Sequence, residues 1–332
     1  MLNKNKLTIS LLTYNGARYL PWLLNSLKNQ TFKEWDLLVL DNASSDDSVE
    51  IVREHYPKAR VVTQKHNLGF ARGHNLLINW SDSDYILVLN QDIVLAPDYL
   101  AGLIAFMEKN PNAASCSGKL MYWDFEEGEQ TNRIDSFGLK IDRKRQVVDA
   151  WQGKKDFDIA NQPVFGVSAT AAIYKRKALD IVATQRDNNH QEYFDEDFFA
   201  YKEDIDLAWR LRLMGYDNWL VSTVKAYHHR SLHAQGDRKK MRKERGMANK
   251  LSYRNHLMLL YKNSFYKNLF KDYFQIKWYE FKKFVYLLIF ESGTLAGIGE
   301  FVKKMPRLSK KRKYIMKHKK VEAEDIYKWF TK

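Results

Sequence analysis

The sequence predicts an α/β fold with a mostly parallel, Rossmann-like central sheet, followed by a basic helical C-terminal region. Three observations lead there. In the N-terminal third, short apolar runs alternate with segments of helical period. Each apolar run stops on a cluster of polar and turn residues. From about Gly236 the composition turns basic, with Leu, Phe, Tyr and Trp interleaved among Lys and Arg. Strands that alternate with helices imply parallel pairing through right-handed crossovers.

The elements follow in order. Leu7 to Thr13 reads as a strand. Ala17 to Gln30 reads as a helix, with Leu20, Leu23, Leu24 and Leu27 on one face. Trp35 to Leu40 is a second strand, and Ser45 is placed to cap a helix from Asp47 to His55. Ala59 to Gln64 is a third strand, Phe70 to Trp80 a third helix, and Tyr85 to Leu89 a fourth strand. Ser115 to Gly166 is less regular and reads as further short strands with a substrate-facing loop. A helix from Glu203 to Met214 is stopped by Gly215, and a strand from Asn218 to Val224 leads to Tyr227-His228-His229.

Four polar clusters carry the chemistry: Thr13-Tyr14-Asn15-Gly16, Asp41-Asn42-Ala43-Ser44-Ser45-Asp46, Asn67-Leu68-Gly69-Phe70 through Asn75, and Asn90-Gln91-Asp92. In a parallel sheet all four emerge on one edge, the edge where open α/β sheets bind ligands. One apolar run ending in a polar turn is ordinary loop chemistry. Four in register favour a crevice for a nucleotide. Asp41 is suited to accept a hydrogen bond from a pyrimidine ring NH, and Asn and Asp side chains suit a ribose. There is no G-x-G-x-x-G at the first turn and no G-x-x-x-x-G-K-[ST] anywhere. A diphosphate would need other neutralisation, and a divalent ion on Asp92 supplies it, since Mg²⁺ and Mn²⁺ prefer oxygen ligands.

Composition bounds the alternatives. The single cysteine, Cys116, excludes a disulfide framework and a Cys-based zinc site, and fits a reducing compartment such as the cytoplasm. Met1 to Lys6 reads as no secretory signal. No window of about 18 uninterrupted apolar residues exists, so no transmembrane span is expected. The net charge of +14 favours an anionic partner: nucleic acid, anionic lipid or a phosphorylated substrate. No recognised nucleic-acid module is visible, and nucleic acid is not expected as a partner.

The order T-Y-N, D-N-A-S-S-D, N-L-G-F-A-R-G-H-N and L-N-Q-D, followed by F-D-E-D-F-F-A-Y-K-E-D-I-D-L-A-W-R-L-R-L-M-G-Y at 194–216, resembles the family 2 inverting glycosyltransferases of the GT-A fold, nearest the bacterial dTDP-rhamnosyltransferases. The resemblance covers roughly residues 7–235. It implies a catalytic domain over 1–235, with a nucleotide-sugar half at about 1–115 and an acceptor half at about 116–235, before a helical basic region at 236–332. It implies that Asp41 reads the base, with Thr13, Tyr14, Asn15, Asn42, Ser44 and Phe70 near the nucleotide and Asn67, Gly69 and Asn75 shaping the ribose pocket. Asp92 binds the divalent cation, Mg²⁺ or Mn²⁺, with Asn90 beside it where the more general motif has a carboxylate. His228 completes the metal site. Asp204 is the general base, paired with Glu203.

The chemistry of inverting transfer agrees with that assignment. One base removes the acceptor proton while the diphosphate leaves opposite it, and no second carboxylate nucleophile is needed, unlike retaining hydrolysis. Blander readings compete: acidic residues favour a helix N-terminus without catalysis, Arg210 and Arg212 suit ion pairing along the helix, and a lone histidine such as His66, His74 or His228 is more often a packing residue. Trp151, Trp209 and Trp219 read as core rather than sugar platforms, with Trp151, in the irregular middle, also placed to face the acceptor.

The implied reaction transfers a sugar, L-rhamnose from dTDP-rhamnose, to a saccharide on a polyprenyl diphosphate in cell-surface polysaccharide synthesis. UDP-galactofuranose, UDP-GlcNAc or UDP-glucose are the rival donors. A nonenzymatic membrane- or nucleic-acid-binding protein on a similar sheet is the rival outside enzymes. The run Lys277-Trp278-Tyr279-Glu280-Phe281-Lys282-Lys283-Phe284 and the later Lys310-Lys311-Arg312-Lys313 suggest peripheral association with an anionic membrane, at its cytoplasmic face. The alternative is a helical domain packed on the catalytic one with a solvated basic surface.

Overall fold

The structure, a computed structural model, describes residues 5–125, 127–187, 190–229 and 238–331. The first half alternates as the apolar pattern requires. Strands Leu7–Thr13 (β1), Trp35–Asp41 (β2), Arg60–Thr63 (β3) and Tyr85–Asn90 (β4) are separated by helices Leu20–Lys28 (α1), Ser48–His55 (α2) and Gly69–Asn79 (α3). β1 is flanked in parallel by β2 and β4, and β2 by β3. The side chains of β1 and β4, the central pair, are buried almost without interruption because helices cover both faces of the sheet there, whereas β3 at the edge is exposed or half-buried. Leu20, Leu23, Leu24 and Leu27 form the buried face of α1.

Two local expectations are corrected. The first helix starts at Leu20, with Pro21 in its first turn, because Gly16 and Ala17 are held in the preceding loop. Ser45 does not cap α2. Its hydroxyl and amide both donate to Asn15 Oδ1, and Asp47 stands at the cap position without a side-chain bond.

The middle of the chain is more ordered than its composition suggests. A short strand Ile93–Leu95 (β5) and helix Tyr99–Lys109 (α4) lead to Ala113–Asp124 (β6), whose first nine residues are buried. Glu129–Ser136 (β7), Leu139–Asp142 (β8), Val147–Asp149 (β9), Gln162–Val164 (β10) and Ala171–Lys175 (β11) follow. After helix Arg176–Val182 (α5) come Thr184–Asp187 (β12), His190–Glu192 (β13), helix Glu203–Leu213 (α6) and Asp217–His228 (β14). β14 runs on past Val224 to His228 because it stays paired with β6 and β5. The main sheet has the order β10-β14-β6-β11-β4-β1-β2-β3, with β5 and β7 attached to β14 and β6. Parallel pairing dominates its N-terminal half, and β11 enters antiparallel between β4 and β6.

The C-terminal region is helical: Arg238–Asn263 (α7), Tyr266–Lys271 (α8), Tyr273–Phe290 (α9), Ala296–His318 (α10) and Ala323–Tyr327 (α11), ending in Phe330–Thr331 (β15). The boundary expected near Gly236 and residues 1–4 lie outside the described residues. These helices share a core with the preceding sheet. Met258, Leu259, Leu308, Ile315 and Phe330 pack with Trp209, Phe165 and Phe198 in one buried cluster, and β15 pairs with β8. Trp219 packs at a tilt against Phe106, in the cluster on the other side of the sheet, and Trp151 lies against Phe137 with Lys140 over its ring.

Basic residues of the tail divide by location. Lys311 and Arg312 are buried, whereas Lys310, Lys313 and Lys317 face outward. Lys311 Nζ donates to Glu192, Asp195 and Asp197 at 2.9, 2.5 and 3.0 Å. Lys262 pairs with Asp195 and Asp206. Burial opposes ionisation of Asp195, but Lys262 and Lys311 hold its carboxyl well below the usual range. Lys311→Met would leave three buried carboxylates short of a partner. We expect it to destabilise the fold by about 3–5 kcal/mol, the cost of breaking a buried ion pair from one side. The urea midpoint would fall with an unchanged slope. An unmoved midpoint would contradict this reading of the cluster.

Candidate active site

Strand register brings the polar clusters together. Thr13 pairs with Asp41 and Leu12 with Asn90, so the ends of β1, β2 and β4 lie side by side. Leu12, Thr13, Tyr14, Asn90, Gln91 and Asp92 line a crevice of about 240 Å³ there. Gln91 closes its floor. Its Oε1 accepts from Thr13 Oγ1 and from the Tyr14 amide, and its Nε2 donates to the Tyr14 carbonyl. This is why Gly16 is glycine: a Cβ there would stand 2.3 Å from Gln91 Oε1. Asn15 takes a left-handed backbone, φ 48°, and is tied to the second loop through Ser44 and Ser45. Asp41 is buried and accepts from the Ser44 amide.

The third cluster is mostly scaffold. Asn42 Nδ2 donates to Asn67 Oδ1, which also accepts from the Gly69 amide, and Asn42 Oδ1 accepts from the Leu68 amide. Both side chains therefore shape the loop around Gly69, whose φ of +79° and contact with Phe199 exclude a side chain. Asn75, expected to help shape the ribose pocket, is bonded to the 193–196 loop. Its Oδ1 accepts from the Tyr193 and Phe194 amides, and its Nδ2 donates to the Phe194 carbonyl and Glu196. It anchors the 193–196 loop and has no bond to spare for a ligand. Phe70 packs on His74 and Phe194. His74 is buried, bonded through Nδ1 to Ser10, and burial pushes it down to about 3, so it is a neutral core residue.

Asp92 and His228 converge from β4–β5 and β14. His228 Nε2 lies 3.4 Å from Asp92 Oδ2, and His228 Nδ1 is 2.7 Å from Asp135 Oδ2. Burial lowers the affinity of His228 for a proton, but the charge of Asp92 and the hydrogen bond to Asp135 outweigh it and raise the imidazole to about 9. A carboxylate behind a histidine, fixing the ring so that its other nitrogen faces a second oxygen ligand, is the arrangement that supports metal-bound imidazoles. The donor set fits a divalent cation that takes its remaining oxygens from a diphosphate. Among the described residues no group of three or more His, Cys, Asp and Glu side chains converges on one point.

The pair Glu203-Asp204 opens α6. Gly166 admits this helix closely, since a Cβ there would lie 2.5 Å from Ala208 Cβ. Asp204 Oδ2 accepts from the Ala169 amide at 3.4 Å, and the neighbouring Thr170 carbonyl accepts from the Asn90 amide at 2.9 Å. Two bonds through one segment thus place Asp204 at the end of β4, beside the crevice. Burial raises its pKa, amide bonds from Ile205 and Ala169 oppose this, and nearby Asp149 adds to it; Asp204 stands at about 6. Glu203 is buried, and burial together with the charge of Asp204 carries it up to about 8. Asp204 is thus the ionised member at neutral pH, more basic than an ordinary aspartate. Arg210 and Arg212 are occupied by Asp206 and Asp217.

The loop before α6 was not legible as part of the site. Phe199, Tyr201 and Lys202 all have positive φ, 66°, 71° and 70°. Asn255 of α7 holds them: its Nδ2 faces the carbonyls of Phe198, Ala200 and Tyr201 at 3.0, 2.8 and 2.7 Å. Gln91, Asp135 and Asn255 are the residues that sequence reasoning missed. Gln91 stood inside a recognised triplet. Asp135 and Asn255 carried no local signal, because their partners lie 93 and more than 50 residues away.

Comparison with known proteins agrees with this geometry. The model of the family described as glycosyl transferase family 2 matches residues 8–182. An N-acetylglucosaminyl-diphospho-decaprenol L-rhamnosyltransferase from Mycobacterium tuberculosis is 23% identical over 250 residues, covering 69% of this chain and 78% of its own. Among solved structures, S. aureus TarS 1–349 superposes with a TM-score of 0.51 at 17% identity, over 98% of this chain and 89% of that one. GalNAc-T7, crystallised with UDP, GalNAc and Mn²⁺, gives a TM-score of 0.59 at 11% identity, over 79% of this chain and 48% of that one. At these identities the structural likeness establishes the fold, which is GT-A-like.

Asn255→Ala would remove the donor shared by three carbonyls. We expect a stability loss of about 1–3 kcal/mol. Turnover should also drop at temperatures where the variant is fully folded, because the presentation of Asp204 is loosened. Unfolding curves and sugar-transfer rates on the same samples check both. Full turnover in the folded variant would remove Asn255 from the site.

Proposed function

The chain belongs to glycosyl transferase family 2, and we propose that this glycosyltransferase inverts the anomeric centre it acts on, with Asp204 as its general base. The observation that carries this reading is the placement of Asp204: half-buried, raised in basicity, and tied through Ala169–Thr170 to the strand end that bears Asn90 and Asp92. In the proposed step the Asp204 carboxylate takes the acceptor hydroxyl proton. The acceptor oxygen bonds to the anomeric carbon, and the bond to the diphosphate breaks, its electron pair staying on the leaving phosphate. Glu203 keeps its proton at neutral pH, which spares the base a neighbouring negative charge. Asp41, Thr13, Tyr14, Asn15 and Ser44 are assigned to the nucleotide, and Asn42, Asn67, Gly69 and Phe70 to the loop that walls it.

Asp92 and His228, backed by Asp135, would hold the divalent cation, Mg²⁺ or Mn²⁺. Such an ion offsets the negative charge that grows on the leaving diphosphate. We assign L-rhamnose from dTDP-rhamnose as the donor and a saccharide on polyprenyl diphosphate as the acceptor. Support comes from the order of motifs and from the name of the mycobacterial relative. UDP-linked sugars are the second reading. A screen of dTDP-rhamnose against UDP-galactofuranose, UDP-GlcNAc and UDP-glucose, with and without Mn²⁺, separates them by the shift in melting temperature each produces.

Four outcomes are expected. Asp204→Asn should cut turnover on the order of 10² to 10⁴ while donor binding persists, since the base acts on the acceptor; near-normal turnover at saturating acceptor would sink the assignment. For the wild type, the base works only when ionised, so kcat/KM should fall about tenfold per pH unit below about pH 6 and level off above it. A flat profile down to pH 4 would exclude Asp204. Asp92→Ala should weaken donor binding and abolish stimulation by divalent ions. Asp135→Asn should raise the Mn²⁺ concentration needed by about 10–100-fold, the usual cost of losing the carboxylate behind a metal-bound histidine. Activity undiminished by EDTA would overturn both.

A further inference from the structure

The outer face of α9 is apolar without being covered. Phe274, Trp278, Phe281, Val285 and Leu288 recur at helical spacing along it, and Phe270 extends the stripe onto α8. Phe270, Phe274 and Trp278 are 84%, 85% and 62% exposed. Ile289 and Phe290 continue the exposed surface at the helix end. Contiguous exposed apolar surface of this kind marks an interaction site rather than ordinary surface.

Charge is sorted across the same helix. Lys271, Lys277 and Lys282 are exposed beside the stripe. The acidic residues of the segment turn inward: Asp272 pairs with buried Arg145, and Glu280 bonds His256 at 2.8 Å. The inner face of α9 is fully engaged, with Ile276 and Leu287 buried and Tyr279 accepting from Gln146. Next to the stripe, Leu257, Leu260, Leu269, Tyr273, Ile276 and Phe301 line an apolar groove of about 340 Å³.

We propose that this face docks on an anionic phospholipid bilayer, with α9 lying in the plane of the interface and the groove receiving a lipid chain. Charge complementarity selects the occupant. A helix with aromatics on one face, lysines flanking them and no outward carboxylate is matched to acyl chains beneath anionic headgroups. A second copy of the chain seated on the same face by two-fold symmetry would bring the same lysines toward one another. No helix among the described residues is long and apolar enough to cross a membrane, so attachment here is to the surface. The inference rests on this face alone and not on the donor or the transfer mechanism.

Deleting the C-terminal region is no test, because it shares a core with the sheet. The full chain is instead sedimented with phosphatidylcholine vesicles, with and without phosphatidylglycerol. Wild type should pellet with the anionic vesicles at low salt and be partly released by high salt. Phe274→Glu combined with Trp278→Glu should lower the bound fraction about tenfold or more, as burial of two aromatic side chains is lost. The urea midpoint and the melting shift given by UDP or dTDP should be unchanged, which separates loss of docking from loss of fold or of the nucleotide site. Wild type remaining in the supernatant, or the double variant pelleting as wild type does, would overturn the proposal. So would a wild-type dimer in sedimentation velocity that the same substitutions dissolve, since the face would then belong to a second copy.

Discussion

Three left-handed residues in a four-residue run, Phe199, Tyr201 and Lys202, stand immediately before the Glu203-Asp204 pair, and the carboxamide of Asn255 holds them. Each such conformation costs on the order of 1–3 kcal/mol for a residue other than glycine. Left to itself the run would relax. Arg254 adds bonds to the carbonyls of Asp197 and Phe198, and the Phe199 carbonyl accepts the Phe70 amide from the first turn of α3. One turn therefore joins the start of α3, the start of α6 and a C-terminal helix. Moving any of the three would move Asp204.

The same junction is charged. Glu192, Asp195, Asp197 and Asp206 come from the segment around that turn, and Lys262, Lys304, Arg307 and Lys311 come from α7 and α10. Buried ions at this density are held in place by mutual pairing, and an apolar replacement for the whole set would cost less than the loss of one member. The arrangement favours one seating of the C-terminal helices over others. It also divides the basic tail: some lysines neutralise buried carboxylates, and the rest remain outward beside the aromatic face of α9.

Around the crevice, many polar side chains hold the loops in place. Gln91 ties Thr13 to Tyr14; Asn42 donates to Asn67 and accepts from the Leu68 amide; Asn75 spends all its side-chain bonds on the 193–196 loop. Asp135 fixes the ring of His228 so that Nε2 faces Asp92. Burial raises both Glu203 and Asp204; the charge of Asp204 lifts Glu203 further, while amide bonds from Ile205 and Ala169 restrain Asp204, so Asp204 loses its proton first. Preorganisation of this kind places charges before a substrate arrives, which is where most catalytic stabilisation originates.

Strand and helix identities in the N-terminal half, the polar edge they share, and the candidacy of Asp92 were legible in the sequence, because period and strand-end chemistry are local properties; Asp204 and His228 became candidates through the family resemblance. The family resemblance rested on the same short motifs. What the sequence did not settle was non-local. The β6–β7 pairing hid in a stretch of mixed composition, and its register shifts near Met121 break any simple alternation along it. Asn75 and Ser45 looked like ligand and cap by type, but their partners 118 residues and 30 residues away made them scaffold. Asp135 and Asn255 became site residues only through contacts across the fold. Of two adjacent basic residues in the tail, Lys310 faces solvent and Lys311 is buried, and nothing in the local charge pattern distinguishes them. Composition determined that the C-terminal third would be basic and aromatic. Which of its faces packs and which stays open was decided by tertiary structure, because burying a lysine depends on whether folding brings carboxylates to meet it.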